Sequence, residues 1–413
     1  MQHFVDCLAS GAPFETGPAN KLETLRLVEC AYGTTHCSCG RELMRMKQDS
    51  VSFVGRPKSE VDTPALLVDV DTMQANMNCI LAVCEKHHVG WRPHCKGHKS
   101  PEIAKLEIGA GAIGVTCAKV GEAEVMAAAG IRSIVIANEV VGAAKFARLL
   151  ALGEHADVVV CVDSISNVDA LNAAATATDR VQKVLIEVNV GMNRAGVEPG
   201  APVLALANEI ASRSGLRLVG VLAWESHATR IADAREKERT VKEALAKLTA
   251  SARACEAAGH NMEIVSCGGT GTFPYCITQA GVTEVQIGGA IFSDEHYRTH
   301  YHMDFAPALT ILATVTSRPT PTRMILDSGR KSMSCDMAMP APLGLPPVEA
   351  MKLSAEHCTI ELKGPSATPK VGDKIEFICG YSDSTVFLHD EIVAVRRGRV
   401  DAIWPLTARG KLK

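Results

Sequence analysis

The sequence predicts an α/β fold, a (β/α)8 barrel of the TIM type, followed by a C-terminal all-β domain. From residue 63 onward, short apolar, β-branched runs alternate with segments of helical composition, which indicates parallel strands joined by helices. Their number fits eight units that close on themselves. After residue 305, short strands follow one another between Gly, Pro and Asp without a sustained helical period, as in an all-β domain. An open doubly wound sheet is the alternative for the first part.

Nine runs are candidate strands of the first part. They lie at residues 63–70, 89–96, 112–118, 133–139, 157–163, 183–189, 217–224, 263–269 and 284–292. Most of the segments between them have helical composition. In the longest of these, residues 229–258, Ala and Leu recur at spacings of three and four, which is the period of a helix face. We therefore expect the barrel to span residues 61–304.

The remaining residues fall into two further regions. We expect residues 305–413 to form the β domain, and residues 1–60, which show no clear period, to be an N-terminal extension. The extension contains four residues that could suggest a metal site: Cys30, His36, Cys37 and Cys39. Their spacing fits no standard zinc pattern, so an extension without zinc is the preferred interpretation.

Composition excludes several classes of function. The 413 residues carry 43 Lys and Arg against 46 Asp and Glu, a formal net charge of −3, which argues against a nucleic-acid binder. The dense basic cluster at residues 396–399 is typical of a hairpin turn. The sequence has no run of about 18 uncharged apolar residues, so we expect no membrane span. Residues 1–20 lack the pattern of a secretory signal, so we expect a cytoplasmic protein, with organelle targeting by the extension as the alternative.

Polar and glycine-rich segments follow several candidate strands, at the end where barrels carry their catalytic groups. Two glycine-rich loops, at residues 268–272 and 286–289, follow the last two strands. Because Gly lets backbone N–H groups approach a phosphate and Thr adds hydroxyl donors, the pair favours an anion site over two tight turns. Lys96 lies at the end of another strand, where a lysine can form a Schiff base. A lysine and phosphate loops in one barrel mouth indicate pyridoxal phosphate, an aldehyde that carries a phosphate group.

Four segments carry a resemblance to a known family: RPHCKGHKSPEIA (92–104), EVNVGMNRAGV (187–197), GGTGT (268–272) and LDSGRKSMS (326–334). They resemble the fold-type III pyridoxal-phosphate enzymes and, within these, the branch of the D-threonine aldolases and eukaryotic-type D-serine dehydratases. The resemblance spans roughly residues 62–410. It implies an alanine-racemase-like barrel, a C-terminal β domain and a D-amino acid substrate. It also implies a homodimer whose active site is completed by the β domain of the partner subunit.

The resemblance also implies roles for individual residues. Lys96 is the lysine that binds the aldehyde of the cofactor, and Arg194 matches the arginine beside its phenolic oxygen. Gln286 lies in the strand beneath the cofactor ring. His227 falls in a loop where polar groups lie near the substrate, with a packing or capping role as the alternative. The phosphate cup matches Thr270, Gly271, Gly288 and Gly289.

The family further uses a divalent metal, held by a His-x-Asp or His-x-Cys pair in the C-terminal domain. Here the sequence departs from the family, because Tyr381 replaces the histidine while Asp383 is kept. Oxygen ligands suit magnesium or manganese better than zinc. We therefore expect Tyr381 and Asp383 at an oxygen-rich metal site, with His357 and His389 as alternative ligands.

The resemblance implies cleavage of a D-β-hydroxy-α-amino acid by a retro-aldol reaction, in which D-threonine gives glycine and acetaldehyde and His227 is a candidate base. The kept Asp383 favours this outcome. The alternative is dehydration of D-serine or D-3-hydroxyaspartate to a keto acid and ammonia, which differs only in the bond that breaks. A non-catalytic pyridoxal-phosphate carrier and a cofactor-free Schiff-base aldolase are further alternatives. The β domain argues against the carrier, and the phosphate loops argue against the aldolase without cofactor.

Overall fold

The structure is a computed structural model that describes residues 53–413. Most of the expected N-terminal extension therefore lies outside the described residues, and so do Cys30, His36, Cys37 and Cys39. Val54–Lys413 forms one compact unit that contains two sheets. Among the described helices, none is long and apolar enough to cross a membrane.

After a first strand, β1 (Ala65–Asp69), the chain builds a barrel of eight parallel strands. These are β2 (Gly90–Trp91), β3 (Val115–Cys117), β4 (Ser133–Glu139), β5 (Asp157–Val162), β6 (Gln182–Glu187), β7 (Leu216–Leu222), β8 (Ile264–Cys267) and β9 (Glu284–Val285). Each pairs with the next along the chain from β3 to β9, and β9 pairs with β2. A bridge between His94 and Thr116 joins β2 to β3 and closes the sheet. The predicted (β/α)8 barrel is thus confirmed.

Helices connect the barrel strands. They are α1 (Val70–Lys86), α2 (Pro101–Ala110), α3 (Val120–Ala128), α4 (Ala143–Leu152), α5 (Ile165–Ala177), α6 (Ala201–Ala211), α7 (Ala234–Ala257) and the short α8 (Phe273–Cys276), and a further short helix, α9 (Glu295–Thr299), follows β9. Four of them begin after a residue whose side chain accepts a hydrogen bond from a backbone N–H in the first turn: Asp69, Ser164, Asp233 and Asp294. Such caps satisfy donors that a helix leaves free and so fix where each helix begins.

The second sheet has nine strands, β1 and eight from the C-terminal region. The latter are β10 (Leu309–Ser317), β11 (Arg323–Leu326), β12 (Ala341–Pro342), β13 (Val348–Leu353), β14 (Cys358–Leu362), β15 (Lys374–Ile378), β16 (Glu391–Arg396) and β17 (Arg399–Pro405), with a short helix, α10 (Ser382–Val386), before β16. The basic cluster forms the turn between β16 and β17, with Arg397 and Gly398 at φ +50° and +74°. This is the two-residue hairpin turn that the sequence predicts.

The interpretation of residues 63–70 as the first barrel strand, at the start of the expected barrel 61–304, is wrong. β1 pairs antiparallel with β10 and parallel with β16, in the second sheet. The run is buried along almost its whole length, and an apolar run that is buried on both faces has the same pattern in the middle of any sheet. Because β1 and β10 flank the barrel in the chain and pair with each other, they hold the second sheet against it.

Two barrel strands are much shorter than predicted. The runs at residues 89–96 and 284–292 contribute only two residues each to the sheet. Beyond those residues the chain bends into single 3-10 turns, Cys95–Gly97 and Gly289–Ile291. Cys95, Gly97 and all of Gly289–Ile291 are buried in these turns without belonging to a strand.

Candidate active site

A cavity of about 320 Å³ opens at the C-terminal ends of the barrel strands, within the range of about 300–1,000 Å³ usual for small-molecule sites. Eight predicted site residues line it: Lys96, Arg194, Thr270, Gln286, Gly288, Gly289, Tyr381 and Asp383. Gly271 and His227 lie outside its lining. Because Tyr381 and Asp383 follow β15, the C-terminal region of the chain reaches the mouth of its own barrel.

Lys96 and Asp383 form an ion pair in this cavity. Lys96 Nζ lies 2.9 Å from Asp383 Oδ2, and the lysine side chain is 47% exposed. The negative charge of Asp383 raises the pKa of Lys96, which holds the free amine as an ammonium. Burial alone would raise the pKa of Asp383, but the Lys96 charge lowers it below its usual value. The ion pair with Asp383 thus stabilises the charged form of Lys96, the candidate Schiff-base lysine.

The two glycine-rich loops meet at the cavity and fit a phosphate group. Thr270 Oγ accepts a hydrogen bond from Ala290 N–H (3.1 Å), which ties the loop after β8 to the loop after β9. A Cβ at Gly288 would lie 2.4 Å from the carbonyl oxygen of His94, and a Cβ at Gly289 would lie 2.2 Å from the Tyr297 ring. Only glycine permits this close approach, which brings the backbone N–H groups of the loops to the cavity wall.

Comparison with known proteins places these features in a family. Residues 68–296 match the alanine racemase N-terminal domain, and residues 308–395 match a serine dehydratase domain. The D-threonine aldolase of Arthrobacter sp is 35% identical over 86% of this chain and 95% of its own length. The chain belongs to the D-threonine aldolase family. This family consists of carbon–carbon lyases on the alanine racemase fold and depends on pyridoxal phosphate, which the lysine and the glycine loops fit.

Other family members agree with this assignment. The 3-hydroxy-D-aspartate aldolase of Paracoccus denitrificans (strain Pd 1222) is 33% identical over 88% of this chain and 96% of its own. The crystal structure of D-threonine aldolase from Filomicrobium marinum matches with a TM-score of 0.84 at 35% identity and covers 88% of this chain and 100% of that one. A dehydratase is also related: the D-threo-3-hydroxyaspartate dehydratase of Delftia sp. (strain HT23) is 30% identical over 67% of this chain and 73% of its own.

Arg194, the arginine expected beside the cofactor, lies near one buried carboxyl group. Its Nη2 atom lies 3.6 Å from Glu187 Oε1, and the Glu187 side chain is only 5% exposed. Burial and the neighbouring Glu139 raise the pKa of Glu187 to about 8. A pKa of about 8 means that the Glu187 carboxyl group beside Arg194 is largely protonated at neutral pH. Sequence reasoning missed this pair, although Glu187 opens one of the family segments.

Glu225 accepts hydrogen bonds from the first glycine loop. Sequence reasoning did not assign it a role. The side chain is fully buried. Its Oε1 accepts hydrogen bonds from Thr272 Oγ and from Cys276 Sγ (3.2 Å), and its Oε2 accepts one from Gly268 N–H (3.4 Å). Three donors on one carboxylate fix both ends of the loop. The signal in the sequence was weak, because Glu225 stands two residues before the more conspicuous His227.

His227 packs against the loop that carries Arg194. A Cβ at Gly191 would lie 3.1 Å from the Cε1 and Nε2 atoms of the His227 ring. Burial lowers the pKa of His227, so the ring is neutral at physiological pH. The packing role has the support of these contacts, whereas the role as a base stays a prediction.

A cluster of metal-ligand side chains beside Lys96 does not suit a metal. Cys95, His98 and Glu107 are buried, and their ligand atoms lie within 4.8 Å of one another. His98 Nδ1 accepts a hydrogen bond from Ser100 N–H (3.1 Å), so in the neutral ring the proton is on Nε2. Nε2 lies 3.3 Å from Glu107 Oε2. Because a protonated nitrogen has no lone pair to offer, we interpret the cluster as a His–Glu contact that supports the Lys96 turn.

The expected metal ligands are in contact with each other. Tyr381 OH donates a hydrogen bond to Asp383 Oδ2 (3.0 Å), and burial raises the pKa of Tyr381. Asp383 Oδ1 is buried and has no hydrogen-bond partner in the described part of the chain. The alternative ligands lie elsewhere, because His389 Nε2 bonds the Ser332 carbonyl oxygen (2.9 Å) and His357 is exposed before β14. The free carboxylate oxygen and the phenol oxygen fit a divalent cation.

Two tyrosines that sequence reasoning missed complete the cavity. Tyr297 and Tyr301 both line it, one in α9 and one just after it. Their ring centroids are 5.5 Å apart, and Tyr297 lies 5.9 Å from the ring of Tyr381. Gly271 lies behind this group, since a Cβ there would be 2.7 Å from the Tyr301 ring. The two tyrosines, four residues apart and shortly after the second glycine loop, were a usable signal in the sequence.

Proposed function

We propose that the protein cleaves the Cα–Cβ bond of D-β-hydroxy-α-amino acids with pyridoxal phosphate and a divalent metal, and that D-threonine gives glycine and acetaldehyde. The observation that carries this proposal is that Lys96 Nζ lies 2.9 Å from Asp383 Oδ2 in a cavity that the two phosphate-type loops also line. One cavity thus joins a lysine, an anion site and a candidate metal ligand. The reaction needs all three.

The binding groups have separate tasks. The loops at residues 268–272 and 286–289 would offer to the cofactor phosphate those backbone N–H groups that are not already paired within the protein, and Lys96 would offer its amine to the cofactor aldehyde. Arg194, held by Glu187, offers a positive charge near the phenolic oxygen of the cofactor. When bound, pyridoxal phosphate supplies an aldehyde for the substrate amine and a ring that accepts the electron pair of the broken Cα–Cβ bond.

Asp383 has two tasks in this scheme. Its Oδ2 holds Lys96 Nζ in place at 2.9 Å, and the ammonium must lose its proton before it reacts as a nucleophile. With Tyr381, the carboxylate would also hold the metal, which supplies a Lewis acid that lowers the pKa of the substrate hydroxyl. Over the whole reaction the β-hydroxyl loses its proton and becomes the aldehyde carbonyl, the Cα–Cβ bond breaks, and Cα takes up a proton to give glycine. Magnesium or manganese suits these oxygen ligands better than zinc.

Dehydration is the second candidate, because a D-threo-3-hydroxyaspartate dehydratase is among the relatives. The same lysine, phosphate loops and metal would serve this reaction, but the Cα–H bond would break and the metal would assist the departure of hydroxide from Cβ. The ligands favour cleavage, since expulsion of hydroxide benefits from a stronger Lewis acid than an ion bound by Asp383 and a phenol. The homodimer and the cytoplasmic location stay predictions. Light scattering on the purified full chain would test the homodimer, with twice the chain mass as the expected result.

Product analysis tests the proposed function. The cofactor-loaded protein is incubated with D-threonine, D-serine and D-threo-3-hydroxyaspartate, each with manganese, with magnesium and with a chelator. We expect glycine and acetaldehyde from D-threonine with either metal and no turnover with the chelator. The L-isomers serve as the matched control and should not react. Turnover that survives exhaustive chelation would contradict the metal requirement.

A further inference from the structure

His296 is a buried histidine whose ring nitrogens lack hydrogen bonds. It lies in α9, directly before Tyr297, and it is fully buried. Neither ring nitrogen has a hydrogen-bond partner within residues 53–413. Leaving two buried polar atoms unpaired is unfavourable, and such groups in folded proteins usually have a functional or bound-ligand explanation.

The backbone ties His296 to the segment that carries the candidate metal ligands. His296 N–H donates to the Gly380 carbonyl oxygen (3.0 Å), and Asp294 Oδ2 accepts hydrogen bonds from the Ser382 N–H (2.6 Å) and hydroxyl (2.7 Å). These bonds hold α9 against residues 380–383 on both sides of Tyr381. The His296 ring is therefore fixed relative to Tyr381 and Asp383 whether or not a ligand is present.

The rings of His296 and Tyr381 are in direct contact. Their centroids are 5.3 Å apart with an interplanar angle of 75°, an edge-on arrangement. Tyr301 packs on His296 in the same way, at 4.6 Å and 61°. Aromatic faces do not replace the hydrogen bonds that the imidazole nitrogens lack. The titratable side chains that act on His296 are those of His300, Arg230, Asp336 and Asp383.

The unpaired atoms of this region form a complementary set. Within residues 53–413, Asp383 Oδ1 and the two nitrogens of His296 are buried without a hydrogen-bond partner. Tyr381 contacts both residues, Asp383 through its hydroxyl and His296 through its ring. A carboxylate oxygen, a phenol oxygen and an imidazole nitrogen are all metal ligands. A mixed set of oxygen and nitrogen suits manganese better than magnesium, which prefers oxygen alone.

We propose that His296 supplies a nitrogen ligand to the divalent metal of this site, together with Asp383, in compensation for the histidine that position 381 lacks. This inference rests on the proposed function, because it requires the metal. A metal bound there would give a partner to two buried atoms that lack one in the described residues, one ring nitrogen of His296 and Asp383 Oδ1. His94, which also lines the cavity, is a less suitable donor, since its Nδ1 accepts a hydrogen bond from Lys96 N–H (3.3 Å) and the proton is then on Nε2.

Pulsed electron paramagnetic resonance on the full chain loaded with Mn²⁺ tests the proposal. This method detects the nitrogen of an imidazole bound to the metal, and labelling with ¹⁵N-histidine shows that the nitrogen belongs to a histidine. The variant is His296→Gln, and the matched control is His300→Gln, whose exposed ring lies beside His296 at 5.0 Å. We expect nitrogen coupling in the wild type and in H300Q. In H296Q we expect loss of the coupling and Mn²⁺ binding that is weaker by about tenfold or more.

Several results would overturn the proposal. Nitrogen coupling and Mn²⁺ affinity that are both unchanged in H296Q would do so. A wild type that binds Mn²⁺ without nitrogen coupling would also refute the role of His296, while the metal-dependent reaction would stand. A wild type that binds no Mn²⁺ and works in chelator would refute both. Because H296Q could fold poorly, His296→Asn is measured in parallel, and circular dichroism and cofactor absorbance confirm that each variant is folded.

Discussion

The two parts of the active-site cavity are built differently. The phosphate part is made of backbone, with Gly288 packed against the His94 carbonyl group and Thr270 tied to Ala290. The reactive part is made of side chains, since Lys96 and Asp383 meet there from the two sheets as an ion pair. A backbone site tolerates no added atom, whereas a side-chain site can exchange one ligand for another. We infer that cofactor binding is fixed by chain geometry, while the outcome of the reaction depends on a few side chains.

The largest effect is expected from Lys96→Ala, which removes the amine that joins the two parts. Turnover should fall by roughly 1,000-fold or more, because Lys96 is the only lysine among the described residues that line the cavity. The absorbance band of the protein-bound cofactor should disappear at the same time. Absorbance spectra and borohydride reduction check this. A cofactor that borohydride still fixes to the variant would move the role to another lysine, first to Lys99.

A large effect on the backbone part is expected from Gly288→Ala. The added Cβ would lie 2.4 Å from a backbone carbonyl oxygen, which no rotamer change can relieve. Cofactor affinity should fall by about tenfold or more. Gly109→Ala is the control, because no atom lies within 4 Å of a Cβ there. Titration of the cofactor-free variants with pyridoxal phosphate measures both, and equal affinities would contradict the account.

A smaller effect is expected from Glu225→Gln, in which an amide replaces one of the oxygens that accept from the first glycine loop. The dissociation constant of the cofactor should rise by about tenfold at most, while kcat at saturating cofactor stays within about twofold. Thr272→Val should behave alike because it removes a donor to Glu225, and Thr272→Ser should restore wild-type affinity. A fall in kcat at saturation would instead give Glu225 a part in the chemistry.

The smallest effect is on stability. Burial and Glu139 raise the pKa of Glu187 to about 8 in the folded protein, above the value of about 4.3 for a free glutamate. Between these values the folded state binds the extra proton, so the free energy of unfolding falls as pH rises, by up to about 1.4 kcal/mol per pH unit. Glu187→Gln should flatten this slope. Urea denaturation from pH 5 to pH 8 tests this, and parallel slopes for both proteins would refute it.

Much of the fold could be predicted from the sequence, because alternating runs and helical segments have few other solutions. The strand β1 could not be assigned to the right sheet, since Leu66, Leu67 and Val68 are buried on both faces and carry no information on their neighbours. Pairing between residues as distant as Ala65 and Leu312 leaves no local signal.

Within the site, the positions of the lysine and of the glycine loops at the cavity could be predicted from sequence motifs. The positions of residues that are placed by long-range packing could not. Lys96 and Gly288 belong to motifs that imply chemistry by themselves. Glu225 and His296 act through contacts with residues about 45 and 85 positions away in the chain, such as Thr272 and Tyr381. Such contacts arise only when the barrel closes and the C-terminal region folds back onto it.

Asp383→Asn tests most directly whether cofactor binding and the reaction depend on separate parts of the cavity. The substitution changes the side-chain part and leaves the backbone part intact. Asparagine has nearly the same shape but no charge for the metal or for Lys96. We predict that the affinity for pyridoxal phosphate changes by less than about threefold, while turnover of D-threonine falls by about 100-fold or more. Affinity and turnover that fall together, or turnover that persists, would contradict the account.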